Sequence, residues 1–190
     1  LTTFIDNIEL SGEIQSDEKY FSINLKGTKP SNMPRFPKKR TSTSSPYKEI
    51  SHHKICVVSS IDEKDNLLLE ITGLGRCTTE MLENSLGKKL NNAKSINADS
   101  ASAYQKFCSD HNLKLNAVPL GFHSNGQINI AEINGVHSQL EVWLSKFRGV
   151  STRHLQEYLN WFTYIFIMKK RFNLSKLKTK FYSNIIIDNN

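Results

Sequence analysis

Two amphipathic segments in the second half of the chain constrain its fold more than any other feature. In residues 136–147 and again in residues 155–166, large apolar side chains recur at intervals of three and four, which is the spacing of one helix face. The first segment also carries Asn134, His137 and Glu141 at i, i+3 and i+7, together on another side of the helix. The sequence therefore predicts two helices, the first with a polar face that can serve a ligand.

The pattern upstream of these helices predicts a mixed β-sheet. The predicted elements, in order, are strands at 8–17, 54–61 and 67–72, a helix at 78–90, a strand at 93–98, a helix from 100 and a strand at 113–118. Asp17 is expected at or near the end of the first strand, and Asp99 directly follows the fourth. Three leading strands followed by alternating elements are typical of an α/β mixed sheet with helices on both faces.

An excess of basic residues favours an anionic partner. The chain has 25 Lys and Arg against 18 Asp and Glu, a formal charge of +7, and nucleic acid is the usual partner of such proteins. Residues 26–53 combine four prolines with the basic run Lys38, Lys39 and Arg40. A loop of this length is usually functional or disordered. Its charges are interpreted either as a solvated surface or as an arm that binds DNA phosphates.

Length and residue usage exclude several other classes. With 190 residues, the chain is expected to form one domain at 1–168, followed by a basic tail at 169–190. No apolar run approaches the roughly 20 residues that span a bilayer, and no signal peptide is recognisable, so no membrane partner is predicted. The three cysteines are widely spaced and include no Cys-x-x-Cys pair, which argues against a disulfide framework or a zinc ribbon.

Asp17 and Asp99 are the strongest candidates for metal chemistry. Each is predicted at a strand end, and they are 82 positions apart. Phosphodiester cleavage requires a deprotonated nucleophile and neutralised charge on phosphorus, and two divalent ions provide both. Mg²⁺ prefers oxygen ligands and keeps several waters, so a few carboxylates on separate elements suffice. The alternative role of a strand-end Asp is to cap a turn or a helix.

Three sequence blocks carry a resemblance to a known family. The blocks are DEKYF at 17–21, DSASAY at 99–104, and the helical segment that begins at Asn134. Together they resemble the catalytic domain of DDE-type transposases of bacterial insertion sequences, specifically the ISXO2-like transposase domain, over about residues 12–161. The resemblance implies an RNase H-like fold with two helices after the sheet. It also implies DNA cleavage and strand transfer in transposition, with two Mg²⁺ or Mn²⁺ ions.

The resemblance implies Asp17, Asp99 and Asn134 as catalytic metal ligands. Asn134 takes the third position by motif alignment, and its alternative role is that of a helix N-cap. His137, on the same face, is interpreted as a partly buried structural histidine or as a poorer ligand for a hard ion. The family commonly has Lys or Arg seven residues after the third ligand. This chain has Glu141 there, either as a solvated charge or as a residue that repels DNA.

The remaining expectations concern partners and activity. Arg148 and Arg153, at the junction of the two helices, are candidates for contacts with DNA phosphates. The implied partners are the DNA ends of the element and the target DNA, in the bacterial cytoplasm at the nucleoid; a homo-oligomer is one candidate assembly. An upstream domain that binds DNA ends is common in the family and is not expected here.

Two hypotheses on activity stay open. The Asp17 and Asp99 pair favours an active catalytic domain, whereas Glu141 favours a decayed, non-catalytic remnant that binds DNA. A basic interaction domain unrelated to transposition is a third.

Overall fold

A computed structural model describes residues 2–27, 54–99, 102–118, 124–125 and 128–172. Its strands are β1 (Leu10–Ser22), β2 (Lys54–Asp62), β3 (Leu67–Leu74), β4 (Leu90–Asp99), β5 (Lys114–Val118), β6 (Ser124–Asn125) and β7 (Ile128–Asn129). Its helices are α1 (Thr2–Asp6), α2 (Thr79–Ser85), α3 (Ser102–Asp110), α4 (Ala131–Ser145) and α5 (Leu155–Phe172). Within these ranges, none of the helices combines the length and apolar character that crossing a membrane requires.

Five of the strands form one mixed sheet in the order β3-β2-β1-β4-β5. β1 pairs antiparallel with β2, which pairs antiparallel with β3, whereas β4 runs parallel to both β1 and β5. The long strand β1 therefore lies at the centre of the sheet. The predicted architecture, a mixed β-sheet flanked by helices with two helices after the sheet, is confirmed.

Helices cover both faces of this sheet. Neighbouring side chains on a strand point to opposite faces, and on β1 the Ser16 hydroxyl lies 3.0 Å from the hydroxyl of Tyr104 in α3. Its neighbour Asp17 instead lies beside His137 in α4. Tyr104 and Phe107 of α3 and Leu140 of α4 are fully buried. The odd-numbered residues of central β1 therefore face α4, and this surface is called the α4 face below.

A bulge at Gly12 sets the alignment of β1 with β4. Leu10 pairs with Leu90, Gly12 with Ala93 and Gln15 with Asn97, so the register shifts on both sides of the glycine. Gly12 has a φ of +67°, a conformation that disfavours other residues, and an added Cβ would collide with the Glu63 side chain. The bulge thus fixes which residues of the two strands become neighbours further along.

Helix α5 covers the edge of the sheet formed by β3. The side-chain amide of Gln156 accepts a hydrogen bond from the backbone N–H of Ile71 at 2.8 Å and donates one to the carbonyl of Leu69 at 2.9 Å. Unpaired backbone groups on an edge strand can recruit another chain, and covering them prevents this. Helix α5 therefore closes β3 in addition to burying its own apolar face.

Several predicted boundaries differ from the observed ones. β1 continues to Ser22 because residues 18–22 go on pairing with β2, so Asp17 lies inside the strand and the prediction of a strand end was wrong. Helix α2 is capped by the Thr78 side chain and ends at Ser85 rather than at residue 90, since Gly87 breaks the pattern and Leu90 already belongs to β4. α5 extends to Phe172, beyond the predicted boundary at 168.

Candidate active site

Asp17 and Asp99 occupy equivalent positions on adjacent parallel strands. From Glu13 to Gln15 the ladder between β1 and β4 has an offset of 82 positions, which is also the separation of the two aspartates in the sequence. Each lies two residues beyond the last pair that the two strands form, and strand alternation puts both on the α4 face. The Asp17 side chain is 24% exposed, and Asp99 is half-buried. Solvent can therefore reach both carboxyl groups.

The Glu18 carboxyl is affected by the charges of both aspartates. Burial, and after it the negative charges of Asp17 and Asp99, raise the pKa of Glu18 from 4.5 to about 8. Glu18 points to the opposite face, towards Tyr104 and Cys77. A third carboxylate charge is therefore suppressed directly behind the aspartate pair.

Gln15 attaches the start of α4 to the sheet. Its side-chain carbonyl accepts hydrogen bonds from the backbone N–H groups of Glu132 at 3.0 Å and Ile133 at 3.2 Å. These are the second and third residues of the helix, whose N–H groups an N-cap side chain ordinarily satisfies. The residue at the N-cap position is Ile130, which has no acceptor. Gln15 thus caps the helix from a strand more than 100 residues away.

The Gln15 cap sets the position of Asn134 relative to β1. Asn134 lies within α4, with its backbone N–H bonded to the carbonyl of Ile130 at 3.2 Å, so its alternative role as an N-cap is wrong. It precedes His137 by one helical turn on the same side of the helix. It is half-buried and directly follows Ile133, whose N–H group Gln15 binds. The cap therefore fixes how far along β1 the Asn134 side chain sits.

Side-chain amides extend the same connection across the sheet. Gln15 donates to the Asn129 side chain at 3.2 Å, Asn97 donates to the Asn129 carbonyl at 3.5 Å, and Asn116 donates to Asn97 at 2.8 Å. Gln15 and Asn97 each precede one of the two aspartates by two residues and share its face. The network therefore ties β1, β4 and β5 to the entry of α4 just below the aspartates.

His137 faces Asp17 as a neutral side chain. Burial and the positive charge of Lys19 together lower the pKa of His137 to about 4, and the negative charge of Glu141 acts in the opposite direction. Its Nδ1 lies 3.6 Å from an Asp17 carboxylate oxygen, too long for a strong hydrogen bond. Its Nε2 is buried and finds no hydrogen-bond partner among the described residues. His137 therefore packs against Asp17 without neutralising its charge.

Lys19 and Glu141 form the next contact along the same face. Lys19 follows Asp17 by two residues on β1, and its ammonium group makes an ion pair with the Glu141 carboxylate, one turn after His137. Two residues of a strand advance about 6.6 Å and four residues of a helix about 6.0 Å, so the contacts of β1 and α4 stay in step. Glu141 is thus a partly solvated charge with a partner.

The donor set fits a divalent metal ion. Two carboxylates on neighbouring strands and one helix amide offer oxygen atoms, which Mg²⁺ and Mn²⁺ prefer. Among the described residues no group of three or more His, Cys, Asp and Glu is arranged to hold a metal. This is compatible with Mg²⁺, which protein sites often bind through one or two carboxylates, with substrate phosphates completing the shell.

The predicted DNA-contacting residues lie away from the aspartates or outside the described residues. Arg148 follows the end of α4 and is exposed, with a left-handed backbone at φ +52°. Arg153 is exposed in the turn before α5, and its Nε donates to His154 at 2.8 Å. Arg148 lies beyond Ser145, the last residue of α4, which is 11 residues and about 16 Å along the helix from Asn134. Lys38, Lys39 and Arg40 lie outside the described residues.

The sequence patterns missed Gln15, Lys19 and Glu18. Gln15 and Lys19 flank Asp17 at a spacing of two, so strand alternation alone puts Gln15, Asp17 and Lys19 on one face. The sequence pattern does not reveal the partner of each residue, because the Gln15 contacts join residues that are 117 and 118 positions apart. Glu18 was noted only as part of the DEKYF block at 17–21.

Replacing Glu18 with Gln should stabilise the protein at alkaline pH. Because the folded-state pKa is raised from 4.5 to about 8, the stability from the neutral carboxyl is full below pH 4.5 and is lost as the pH rises through 8. At about 1.4 kcal/mol per pKa unit, the full loss is about 5 kcal/mol, of which about 3.5 kcal/mol falls between pH 5 and 8. Urea unfolding in metal-free buffer at pH 5 and 8 should show this loss for the natural chain and not for Glu18→Gln.

The control for this comparison is Glu13→Gln, on the same strand but exposed. Its unfolding free energy should follow that of the natural chain at both pH values. A parallel loss of stability in the natural chain and in Glu18→Gln would show that Glu18 is ionised throughout this range.

Comparison with known proteins gives one family and several structural likenesses. A model of the family described as ISXO2-like transposase domain matches residues 9–166. No curated protein matches the chain.

Three solved structures are similar in outline. The HTLV-2 integrase catalytic core domain in complex with magnesium is 10% identical in its dimeric form, with a TM-score of 0.43 and 85% of each chain covered. Its trimeric form is 13% identical, with a TM-score of 0.40 and the same coverage. The simian T-cell lymphotropic virus intasome in complex with PP2A regulatory subunit B56 gamma is 14% identical, with a TM-score of 0.45, covering 86% of this chain and 49% of that one.

The family match extends over well more than half of the chain. It confirms the predicted function class, DNA cleavage and strand transfer in transposition. The chain belongs to the ISXO2-like transposase domain family.

Proposed function

We propose that this chain is a catalytically competent transposase domain that cleaves DNA at the ends of its element and joins the 3′-hydroxyl to target DNA. The observation that carries the proposal is that Asp17 and Asp99 each follow the last pair of the β1–β4 ladder by two residues, on the same face and partly exposed. Two carboxylates on neighbouring strands are the arrangement that metal-assisted phosphodiester cleavage requires.

In this proposal Asp17, Asp99 and Asn134 hold two Mg²⁺ or Mn²⁺ ions. When bound, the ions activate the attacking water or 3′-hydroxyl and neutralise charge on the phosphate. Asp17 and Asp99 supply negative oxygen ligands from the sheet, and Asn134 supplies a neutral one from α4. Gln15 keeps the helix in place relative to the sheet. His137 limits the positions open to the Asp17 carboxylate without forming a charged pair that would weaken it as a ligand.

The alternative is a non-catalytic remnant that binds DNA. Glu141, at a position where the family commonly has Lys or Arg, is the residue that favoured it. The ion pair with Lys19 weakens this objection, because the Glu141 charge is compensated within the α4 face. The charge balance at this level of the site is therefore neutral, which is compatible with DNA approaching Asp17.

The test combines metal binding with cleavage. Titration of the full chain with Mn²⁺, followed by electron paramagnetic resonance, should show saturable binding. A supercoiled plasmid should be nicked with Mg²⁺ or Mn²⁺ but not with EDTA. Saturable Mn²⁺ binding without any nicking of a plasmid that carries the element ends would favour the non-catalytic remnant. The absence of both would reject the metal site itself.

The basic run Lys38, Lys39 and Arg40 is proposed as a phosphate-binding arm. Each phosphate contact contributes about 0.9 to the slope of log affinity against log salt concentration. Changing all three residues to Ala should therefore flatten the slope for a DNA duplex by up to about 2.7. A slope equal to that of the natural chain would assign the run to solvent. Arg148 and Arg153 are proposed as further contacts with the DNA backbone, distant from the cleavage site.

Assembly and location complete the proposal. We propose a homo-oligomer that acts on element ends and target DNA in the bacterial cytoplasm, with residues 1–168 as the core of the catalytic domain. Support for assembly comes from exposed apolar side chains on α4 and α5: Val142 is 64%, Trp161 42%, Tyr164 38% and Phe172 58% exposed. Light scattering of the purified chain, with and without DNA, measures the oligomeric state directly.

A further inference from the structure

The ion pair of Lys19 and Glu141 lies at the rim of the α4 face, next to Asp17. The Lys19 side chain is 26% exposed and that of Glu141 is 57% exposed, so solvent reaches both partners. Lys19 and Asp17 are two residues apart on β1 and point to the same side, which separates them by about 7 Å along the strand.

Beyond this pair the surface continues as a groove. A cavity of about 360 Å³ lies between the end of β1 and the junction of α4 with α5, and Phe21, Glu141, Leu144 and Val150 line it. Phe21 follows Lys19 by two residues and therefore shares the face of Asp17 and Lys19. At the far end, the Lys26 ammonium group donates to the Gly149 carbonyl at 3.2 Å. A strand that leaves the aspartates along β1 would pass over Lys19 into this groove.

The pair can exchange partners at low cost. An ion pair between partly exposed side chains stabilises a protein by about 0 to 1 kcal/mol, because water screens it and both side chains lose freedom. A DNA phosphate gains more from the same ammonium group, since binding also releases counterions from the DNA. The Glu141 carboxylate can meanwhile turn to water, because it is the more exposed partner.

We propose that Lys19 binds a backbone phosphate of the DNA strand adjoining the cleavage site, and that the phosphate displaces Glu141, which holds the ammonium group in place until DNA arrives. The direction of the strand along β1 rests on the proposed function, since Asp17 marks the cleavage site. Lys19 is thus a DNA-binding residue, and Glu141 is a positioning residue that acts through it.

Anisotropy titrations of a labelled mixed-sequence duplex in EDTA test this without requiring cleavage. Lys19→Met should weaken binding roughly fivefold at low salt and reduce the salt slope by about 0.9. Glu141→Gln should strengthen binding in the natural background and have little effect when Lys19 is already Met. Lys19→Arg, which keeps the charge, should bind as the natural chain does. Thermal melts followed by circular dichroism should show that all these variants fold.

Matched controls come from the opposite face of the sheet. Lys106 is exposed on α3, and Glu83 on α2 is 53% exposed and paired with His111, much as Glu141 is paired with Lys19. Lys106→Met and Glu83→Gln should leave affinity and salt slope close to those of the natural chain. If Lys19→Met behaves like Lys106→Met, or if Glu141→Gln strengthens binding equally with and without Lys19, the proposal is overturned and only long-range charge remains.

The same variants separate this proposal from the cleavage assignment. If Asp99→Asn nicks plasmid DNA as fast as the natural chain, the cleavage assignment fails, and a reduced salt slope for Lys19→Met still assigns Lys19 to DNA. If Asp99→Asn abolishes nicking while Lys19→Met binds DNA with unchanged affinity and slope, the assignment of Lys19 fails alone.

Discussion

Asp99→Asn should reduce metal-dependent DNA nicking by about 10³-fold. The substitution keeps the shape of the side chain and removes one of the two negative charges that would hold a divalent ion between β1 and β4. Metal ions contribute several kcal/mol of charge stabilisation to such reactions, and each 1.36 kcal/mol changes the rate about tenfold. Asp17→Asn should have an effect of the same order, because Asp17 has the equivalent place on the neighbouring strand.

Mn²⁺ affinity provides a readout that does not depend on turnover. Both Asn variants should bind Mn²⁺ at least tenfold more weakly than the natural chain, with melting temperatures that do not fall, since two adjacent negative charges repel each other. Asp110→Asn, at the exposed end of α3, is the control and should change neither nicking nor Mn²⁺ binding. Normal Mn²⁺ affinity in Asp99→Asn would remove this residue from the metal site.

Local sequence patterns were enough to predict the elements. The helices α4 and α5 were predicted because their apolar residues repeat at helical spacing, and the strands β2 and β3 because each is an apolar run next to a polar turn. Such patterns involve residues only a few positions apart. The same spacing explains why Ala103, Tyr104 and Phe107 are buried on one side of α3.

The alignment of elements could not be predicted in this way. Whether Asp17 meets Asp99 depends on the offset of β1 against β4, and two register shifts around Gly12 change that offset before the aspartates are reached. A displacement by one residue would turn Asp99 to the opposite face. A lone glycine in a strand indicates a bulge only in general terms, so the sequence does not reveal the size of the shift.

The partners of the polar residues were equally hidden. Gln15 and Lys19 look like ordinary polar positions of a strand, and their roles arise from α4, which lies more than 100 positions later. Glu141, taken alone, suggested repulsion of DNA because its compensating charge is on another element. Asp17 was placed at a strand end because the alternation of apolar residues fades there, whereas backbone pairing with β2 continues the strand to Ser22.

The second large effect is expected at Gln15, which no sequence motif marks. Gln15→Leu removes the acceptor for the N–H groups of Glu132 and Ile133 and the link to Asn129. Loss of a helix cap costs about 1 to 2 kcal/mol. The larger effect should be on nicking, because a displacement of about 1 Å in a reacting group can lower a rate about 10²-fold, and Gln15 fixes the helix that carries Asn134.

Gln15→Glu distinguishes positioning from general stability. It keeps an acceptor oxygen for both N–H groups and gives up the donation to the Asn129 side chain. It also adds a negative charge near a helix amino terminus, which is favourable by about 0.3 to 1 kcal/mol. Urea unfolding should therefore show stability close to that of the natural chain for Gln15→Glu and a loss for Gln15→Leu. Mn²⁺ affinity should fall in Gln15→Leu and be retained in Gln15→Glu. If Gln15→Leu loses stability while its Mn²⁺ affinity and nicking rate stay unchanged, the cap supports the fold alone, and the distance between Asn134 and the aspartates is set elsewhere.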